Sequence, residues 1–363
     1  MSPSNAKNSA ANILKSLAPY AELVRIDKPV GILNIFFPYF YGFAFGVLIN
    51  QPSSIPSHIL PRRVTLILFS TFILRSMGCA WNDIIDRNID RLVKRTNHRP
   101  MARGAISIPM ACCFTAGLLV IWTSTLYQLV PSSIKLGSYA IPLIVLVIFY
   151  PFAKRCTNYA QVVLGITLGF GVLFGAAFGE IDILHTLFEA ITAATRAKSI
   201  LPLQQIVQVP QTLGLILLYA VYVIWTVIHD TVYAFQDFRD DKKMGIKSMA
   251  VRLRNHAKPC LSLLCILQIT FLAKVALLLN DGRSSIDSNY PGKLEGFEIK
   301  STKNQWLFFS CAVIGNAVIL AILIVKVDLS DPHSCGLWFK RSSTWIGSSI
   351  GAGFTLQYLA EII

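Results

Sequence analysis

Charge is scarce in this sequence. Asp, Glu, Lys and Arg make up 14% of its 363 residues, where soluble domains carry about 25%. So few charges cannot coat a soluble globule of this size, which excludes an ordinary cytosolic enzyme. A hydrophobic fraction of 54% equally excludes a disordered chain. There is no CxxC pair and no Cys/His spacing suited to zinc, so the eight cysteines are expected to be small buried apolar residues. The N-terminal segment lacks a signal-peptide pattern and has no arginine before Arg25, so an Arg-rich mitochondrial presequence is not expected. No Asn-X-Ser/Thr glycosylation site occurs.

What is present is apolar length. The mean hydropathy is +0.56. Apolar windows near 29–50, 64–84, 106–130, 137–153, 159–180, 212–235, 259–280, 305–327 and 343–362 are each long enough, or nearly so, to cross a bilayer core of about 30 Å. The expected fold class is therefore all-α, a polytopic membrane protein of about nine transmembrane helices. A segment over 1–28 precedes one membrane domain over 29–363.

The net charge is +14. In a soluble protein that excess would suggest nucleic acid; here no nucleic-acid partner is expected, because Lys and Arg gather on cytosolic loops. The side holding the N-terminus and the loops after the even-numbered windows carries 22 of the 33 Lys and Arg. That side is expected to face the cytosol, and the two termini to lie on opposite sides. Two longer connections on the other side, 181–211 and 281–303, read as loops lying on the membrane surface.

Two acidic clusters close the second and sixth windows, both on the basic side. The first contains Asn82, Asp83, Asp86 and Asp90; the second contains Asp230, Tyr233, Asp237, Asp240 and Asp241. Spacings of three and four place such residues on one helical face, where like charges repel. A divalent cation removes that repulsion, and carboxylates together with phosphate oxygens suit Mg²⁺. Basic residues surround both sets: Arg91, Lys94, Arg95, Arg99 and Arg103 after the first, and Arg239, Lys242, Lys243 and Lys247 after the second. Lys154 and Arg155 follow the fourth window on the same side. Acids that would hold a metal, beside cations that would hold phosphate, describe a Mg²⁺–diphosphate site. The rival reading is a secondary transporter, but transport acids usually lie near mid-membrane.

These residues stand in motifs that resemble the UbiA superfamily of intramembrane aromatic prenyltransferases. The first motif, NDxxDxxxD, is complete at Asn82, Asp83, Asp86 and Asp90, and Lys94 to Pro100 match KRTxxRP. The second, DxxYAxxDxxDD followed by KxGxKS, runs from Asp230 to Ser248. Arg25 to Gly31 resemble RxDKPxG, Arg75 with Gly78 and Cys79 resembles RxxGC, and Tyr150 to Arg155 resemble YPxxKR. The matches run in order from residue 25 to about 250, and the last third carries only apolar spans.

The resemblance implies a UbiA-like helical bundle over 29–363 and transfer of a prenyl group. Its partners would be an isoprenoid diphosphate, an aromatic acceptor and the lipid bilayer, with Mg²⁺ as cofactor. Asp83, Asp86, Asp237 and Asp241 lead the implied metal set, joined by Asp90, Asp230 and Asp240. Arg25, Lys28, Asn82, Lys94, Arg95, Arg99, Lys154, Arg155 and Lys247 would bind the diphosphate or its metal, and Tyr150 and Tyr233 would face the reacting carbon. Arg75 is expected to balance an aspartate, His229 to be a satisfied packing histidine, and the glycines from Gly165 to Gly179 to permit close helix packing. Phe36, Phe37 and Trp225 shield a carbocation or face lipid. Detail around both motifs resembles fungal transferases that place a farnesyl chain on a phenolic polyketide in meroterpenoid biosynthesis; 4-hydroxybenzoate polyprenyltransferase is the alternative. The implied location is the endoplasmic reticulum or Golgi membrane, with the site on the cytosolic side.

Overall fold

A computed structural model describes residues 15–50, 55–130, 132–245, 247–288 and 306–362. All nine apolar windows fall in long helices among the described residues. In chain order these are α1 (Val30–Ile49), α2 (Leu60–Asp90), α3 (Ile108–Tyr127), α4 (Ser133–Cys156), α5 (Ala160–Phe178), α6 (Pro210–Ala234), α7 (Ala257–Ser288), α8 (Trp306–Lys326) and α9 (Pro332–Ile362). Eight are long and apolar enough to cross a membrane. The 31-residue α9 is less apolar, carrying Lys340 and Arg341 among small and aromatic residues.

The bundle is centred on α1, α5 and α6, the spans most deeply covered by their neighbours. Small residues make that centre. A Cβ at Gly175 would overlap the carbonyl oxygen of Tyr39, and one at Gly42 would overlap that of Val172. Helices without hydrophobic drive in lipid associate through such close backbone contact. Gly165 and Gly169 face Val223 and Tyr219 of α6 in the same way. The glycine-rich helix is thus a packing device on both its faces.

The peripheral α3 and α4 bury little, and this corrects the expectation for the cysteines. Cys265 and Cys335 are buried, but Cys112, Cys113 and Cys156 are exposed, on helices at the rim of the bundle. The 181–211 connection contains two helices, Ile183–Ala197 and Leu201–Gln208. The first turns Ile183 and Ala190 inward and leaves Phe188 and Ile191 exposed. Most of the second long connection, 289–303, lies outside the described residues.

Candidate active site

The two acidic motifs lie at the ends of α2 and α6, and the bundle brings them together. α6 ends in a 3₁₀ turn at Phe235–Asp237 and a short helix, Phe238–Met244. Gly245 closes that helix with φ +67°, a backbone position that glycine adopts without steric cost. Ser248 then caps the next helix by accepting from the Val251 amide. The GxKS spacing is a stop and a start, with Lys247 projecting between them.

Arginines join the carboxylates. Asp83, 1% exposed, accepts from Arg25 Nη2 at 2.7 Å and from Arg99 Nη1 at 3.1 Å. Arg99 also donates to Asp90 at 2.9 Å. Arg95 clamps Asp237 through Nε at 2.8 Å and Nη2 at 2.6 Å, and donates to the Tyr233 hydroxyl at 3.1 Å. Its guanidinium sits 5.3 Å from the Tyr233 ring centroid. The loop that delivers these arginines is tied down at both ends: Thr96 donates to the Asp90 carbonyl, and Arg103 reaches Glu22 at 2.6 Å.

The third contribution comes from α4. Arg155 lies 3.4 Å from Asp86, and Lys247 approaches the Cys156 carbonyl at 3.4 Å. Tyr150 lies on α4, near the end of the helix that carries Arg155. So Arg25, Arg95, Arg99, Arg155 and Lys247 converge with Asp83, Asp86, Asp90, Asp237 and Tyr233 at one end of the bundle, and Tyr150 and Asp230 lie near the same ends of α4 and α6. Asn82, Asp240 and Asp241 are half-buried at its edge, while Lys28 and Lys94 are exposed. The side chain of Lys154 lies outside the described residues.

Burial works against the charge on Arg25 and on Arg95. For Arg25 the carboxylate of Asp83 outweighs it, and for Arg95 the bonds to Asp237 do so. Both guanidinium groups therefore ionise above the ordinary range.

Among the described residues Arg75 makes no ion pair with an aspartate, contrary to expectation. Its guanidinium donates to the carbonyls of Val24 (3.2 Å), Arg25 (3.2 Å) and Lys28 (2.8 Å). Those carbonyls belong to the turn in which Arg25 takes φ +56°, a conformation that costs a non-glycine residue about 1 kcal/mol or more. A Cβ at Gly31 would lie 2.7 Å from Arg75 Nη2, so the glycine makes room for the guanidinium. Arg75 thereby sets the turn that aims Arg25 at Asp83. Sequence reasoning missed this role, because carbonyl partners carry no residue identity.

His229 is satisfied, as expected: Asn34 and Ser342 meet its two ring nitrogens. Phe37 and Trp225 are buried inside the bundle rather than facing lipid, and Phe36 is half-buried. The contribution of α9 was also missed. Phe339 packs at a tilt against Tyr233, 4.4 Å between centroids, from a stretch with no motif to mark it.

Among the described residues no three His, Cys, Asp or Glu side chains converge at metal-ligating distance. The arginines fill that role of charge neutralisation. The donor set is nonetheless all hard oxygen, drawn from two facing helix ends, and its chemistry fits a hard divalent cation.

The chain matches the family model described as the UbiA prenyltransferase family over residues 36–284. It is 32% identical to the mitochondrial 4-hydroxybenzoate polyprenyltransferase of Schizosaccharomyces pombe, over 94% of this chain and 80% of that one. It is 33% identical to prenyltransferase stbC of Stachybotrys bisbyi, over 74% and 73% of the two chains. In fold it is similar to the apo UbiA homologue of Aeropyrum pernix, with a TM-score of 0.56 at 17% identity, covering 91% of this chain and 98% of that one. A UbiA homologue of Archaeoglobus fulgidus bound to GPP and Mg²⁺ gives a TM-score of 0.51 at 17% identity, covering 88% and 99%. Its sequence matches and its helical bundle together make this chain a member of the UbiA prenyltransferase family, an integral multi-pass membrane enzyme.

Proposed function

We propose that this enzyme transfers a farnesyl group from its diphosphate to a phenolic polyketide acceptor, in meroterpenoid secondary metabolism. The observation that carries the reading is the meeting of two aspartate motifs with Arg25, Arg95 and Arg99 between them. Carboxylates alone repel a diphosphate, and arginines alone would need no such acids. Asp83, Asp86, Asp237 and Asp241 would hold Mg²⁺, with Asn82, Asp90, Asp230 and Asp240 beside them. The ion supplies positive charge that stabilises the departing diphosphate. UbiA homologues of Archaeoglobus fulgidus bound to GPP and to DMAPP with Mg²⁺ support the choice of ion.

The chain's own residues do the rest. Arg95, Arg99, Arg155 and Lys247 bind diphosphate oxygens, with Lys28, Lys94 and Lys154 at the rim. Arg25 reaches the same charge from the N-terminal side. As the allylic C–O bond breaks, its electron pair leaves on diphosphate. A ring carbon of the acceptor forms the new C–C bond, and the ring proton is lost. Tyr150 and Tyr233 face the electron-poor carbon, and the surrounding helices keep water from it. The site lies on the cytosolic side of an endoplasmic reticulum or Golgi membrane, the side richer in Lys and Arg.

A second reading has its own support. The Schizosaccharomyces pombe relative, a 4-hydroxybenzoate polyprenyltransferase, aligns along 94% of this chain, against 74% for the Stachybotrys bisbyi relative. A membrane-fraction assay decides between them. It pairs prenyl diphosphates of several lengths with phenolic acids, a phthalide and a pyrone, with Mg²⁺ and an EDTA control. Farnesylation of a polyketide acceptor supports the first reading. Product only from longer donors with 4-hydroxybenzoate supports the second, and no product with any pair sinks both.

A further inference from the structure

Polar side chains deep in an apolar bundle are costly unless each polar atom finds a partner. One group of this kind lies below the carboxylates. On α6, Trp225, His229 and Tyr233 recur every four residues and so share a face. Tyr233 belongs to the site above, where Arg95 donates to it. His229, one turn deeper, is 3% exposed. Its Nδ1 lies 2.8 Å from the Ser342 hydroxyl of α9, and its Nε2 lies 3.0 Å from Nδ2 of Asn34 on α1. Phe339 of α9 links the two levels, with its ring centroid 4.2 Å from that of His229 and 4.4 Å from that of Tyr233.

Around this imidazole, three buried polar atoms have no protein partner: Oδ1 of Asn34, Nε1 of Trp225 and Nε1 of Trp338. The two indole rings lie 4.6 and 5.7 Å from His229 between centroids. Asn34, Trp225 and Trp338 are 7%, 4% and 3% exposed. Buried polar groups are nearly always hydrogen-bonded, so three orphans about one ring call for a ligand or water that completes them. The set offers two N–H donors and one carbonyl acceptor. A phenolic hydroxyl matches both kinds, and an aryl carboxylate matches the donors.

We infer that Asn34, Trp225 and Trp338 form the subsite for the polar substituent of the aromatic acceptor, with His229 as the positioning residue that holds Asn34. The acceptor ring then points along the α6 face toward Tyr233 and Asp237, where the diphosphate is bound. This rests on the proposed transfer to a phenol and adds which residues choose the phenol. Asn34 on one side, and Trp338, Phe339 and Ser342 on the other, lie outside residues 36–284, the stretch that the family model matches.

The test uses the purified full-length protein, farnesyl and geranyl diphosphates as donors, and 4-hydroxybenzoate with its 4-methoxy analogue among the acceptors. Asn34→Leu and His229→Phe are expected to raise the acceptor KM about tenfold or more while the donor KM stays within about twofold. His229→Gln, which keeps a donor and an acceptor, should recover most of the loss. Trp338→Phe removes a single N–H with little change of shape, and should by itself raise the acceptor KM severalfold and leave the donor KM unchanged; an unchanged acceptor KM in this variant overturns the subsite even if the other variants fail to fold. Unchanged acceptor KM in the folded variants would overturn the subsite and leave prenyl transfer intact, as would donor and acceptor KM rising together. A wild-type protein that prenylates no phenol would instead remove the functional reading, and the subsite with it.

Discussion

Nη2 of Arg25 donates to Oδ1 of Asp83 at 2.7 Å, although 58 residues separate them in sequence. The bond joins the segment ahead of α1 to the end of α2 at the heart of the acidic motif. It depends on a third residue. Arg75 gathers the Val24, Arg25 and Lys28 carbonyls and so fixes the turn from which Arg25 projects.

The coupling can be measured. Arg75→Ala should raise the donor KM about tenfold and lower kcat, and Gly31→Ala should act in the same direction through its crowding of Nη2. In a double-mutant cycle, Arg75→Ala adds little to Arg25→Ala, because both remove one interaction with Asp83. Additive losses would show that Arg75 acts elsewhere.

The sequence made some parts of this site readable and hid others. Each aspartate motif is visible because its spacing is helical and its charges need neutralising. The nine helices are visible because lipid demands long apolar runs. Arg75 is hidden because its partners are carbonyls, which any residue supplies. The Arg155–Asp86 approach is hidden because it joins two helices distant in sequence. Phe339 and Ser342 are hidden because α9 has neither motif nor uniform apolarity. Asn34 left a faint signal, an amide inside the apolar run that became α1.

Glycine packing at the centre of the bundle predicts a contrast in stability. Gly175→Val places side-chain atoms against the Tyr39 carbonyl, and overpacking of this kind costs about 1–3 kcal/mol. Gly78 has nothing within 4 Å of a built Cβ. Thermal unfolding in detergent should show a clear loss for Gly175→Val and little change for Gly78→Ala. Equal behaviour of the two variants would contradict the α1–α5 contact.

Arg95 is expected to resist its nearest substitute. It donates twice to Asp237, once to Tyr233, and lays its plane near the Tyr233 ring. Lysine keeps the charge but has no fork to span these partners. Arg95→Lys should lower kcat/KM for the donor by about a hundredfold, a loss of about 2.7 kcal/mol in transition-state stabilisation. An activity within about threefold of wild type would reduce Arg95 to a general positive charge.

Removal of the metal and removal of single carboxylates should converge on one phenotype. Asp83 is held by Arg25 and Arg99, and Asp237 by Arg95. Asp83→Asn and Asp237→Asn keep the shape of the side chain and remove its charge. The remaining amide oxygen can still accept from the arginines, which limits the damage to the fold. The expected result is a fall in turnover of about a hundredfold or more with a melting temperature close to wild type. The concentration of Mg²⁺ needed for half-maximal activity should rise in whatever activity remains. EDTA should abolish turnover of the wild type and added Mg²⁺ should restore it. Variants that keep near-normal turnover and the same Mg²⁺ requirement would place the cation away from both motifs, and the arginines would then be the groups that meet the diphosphate alone.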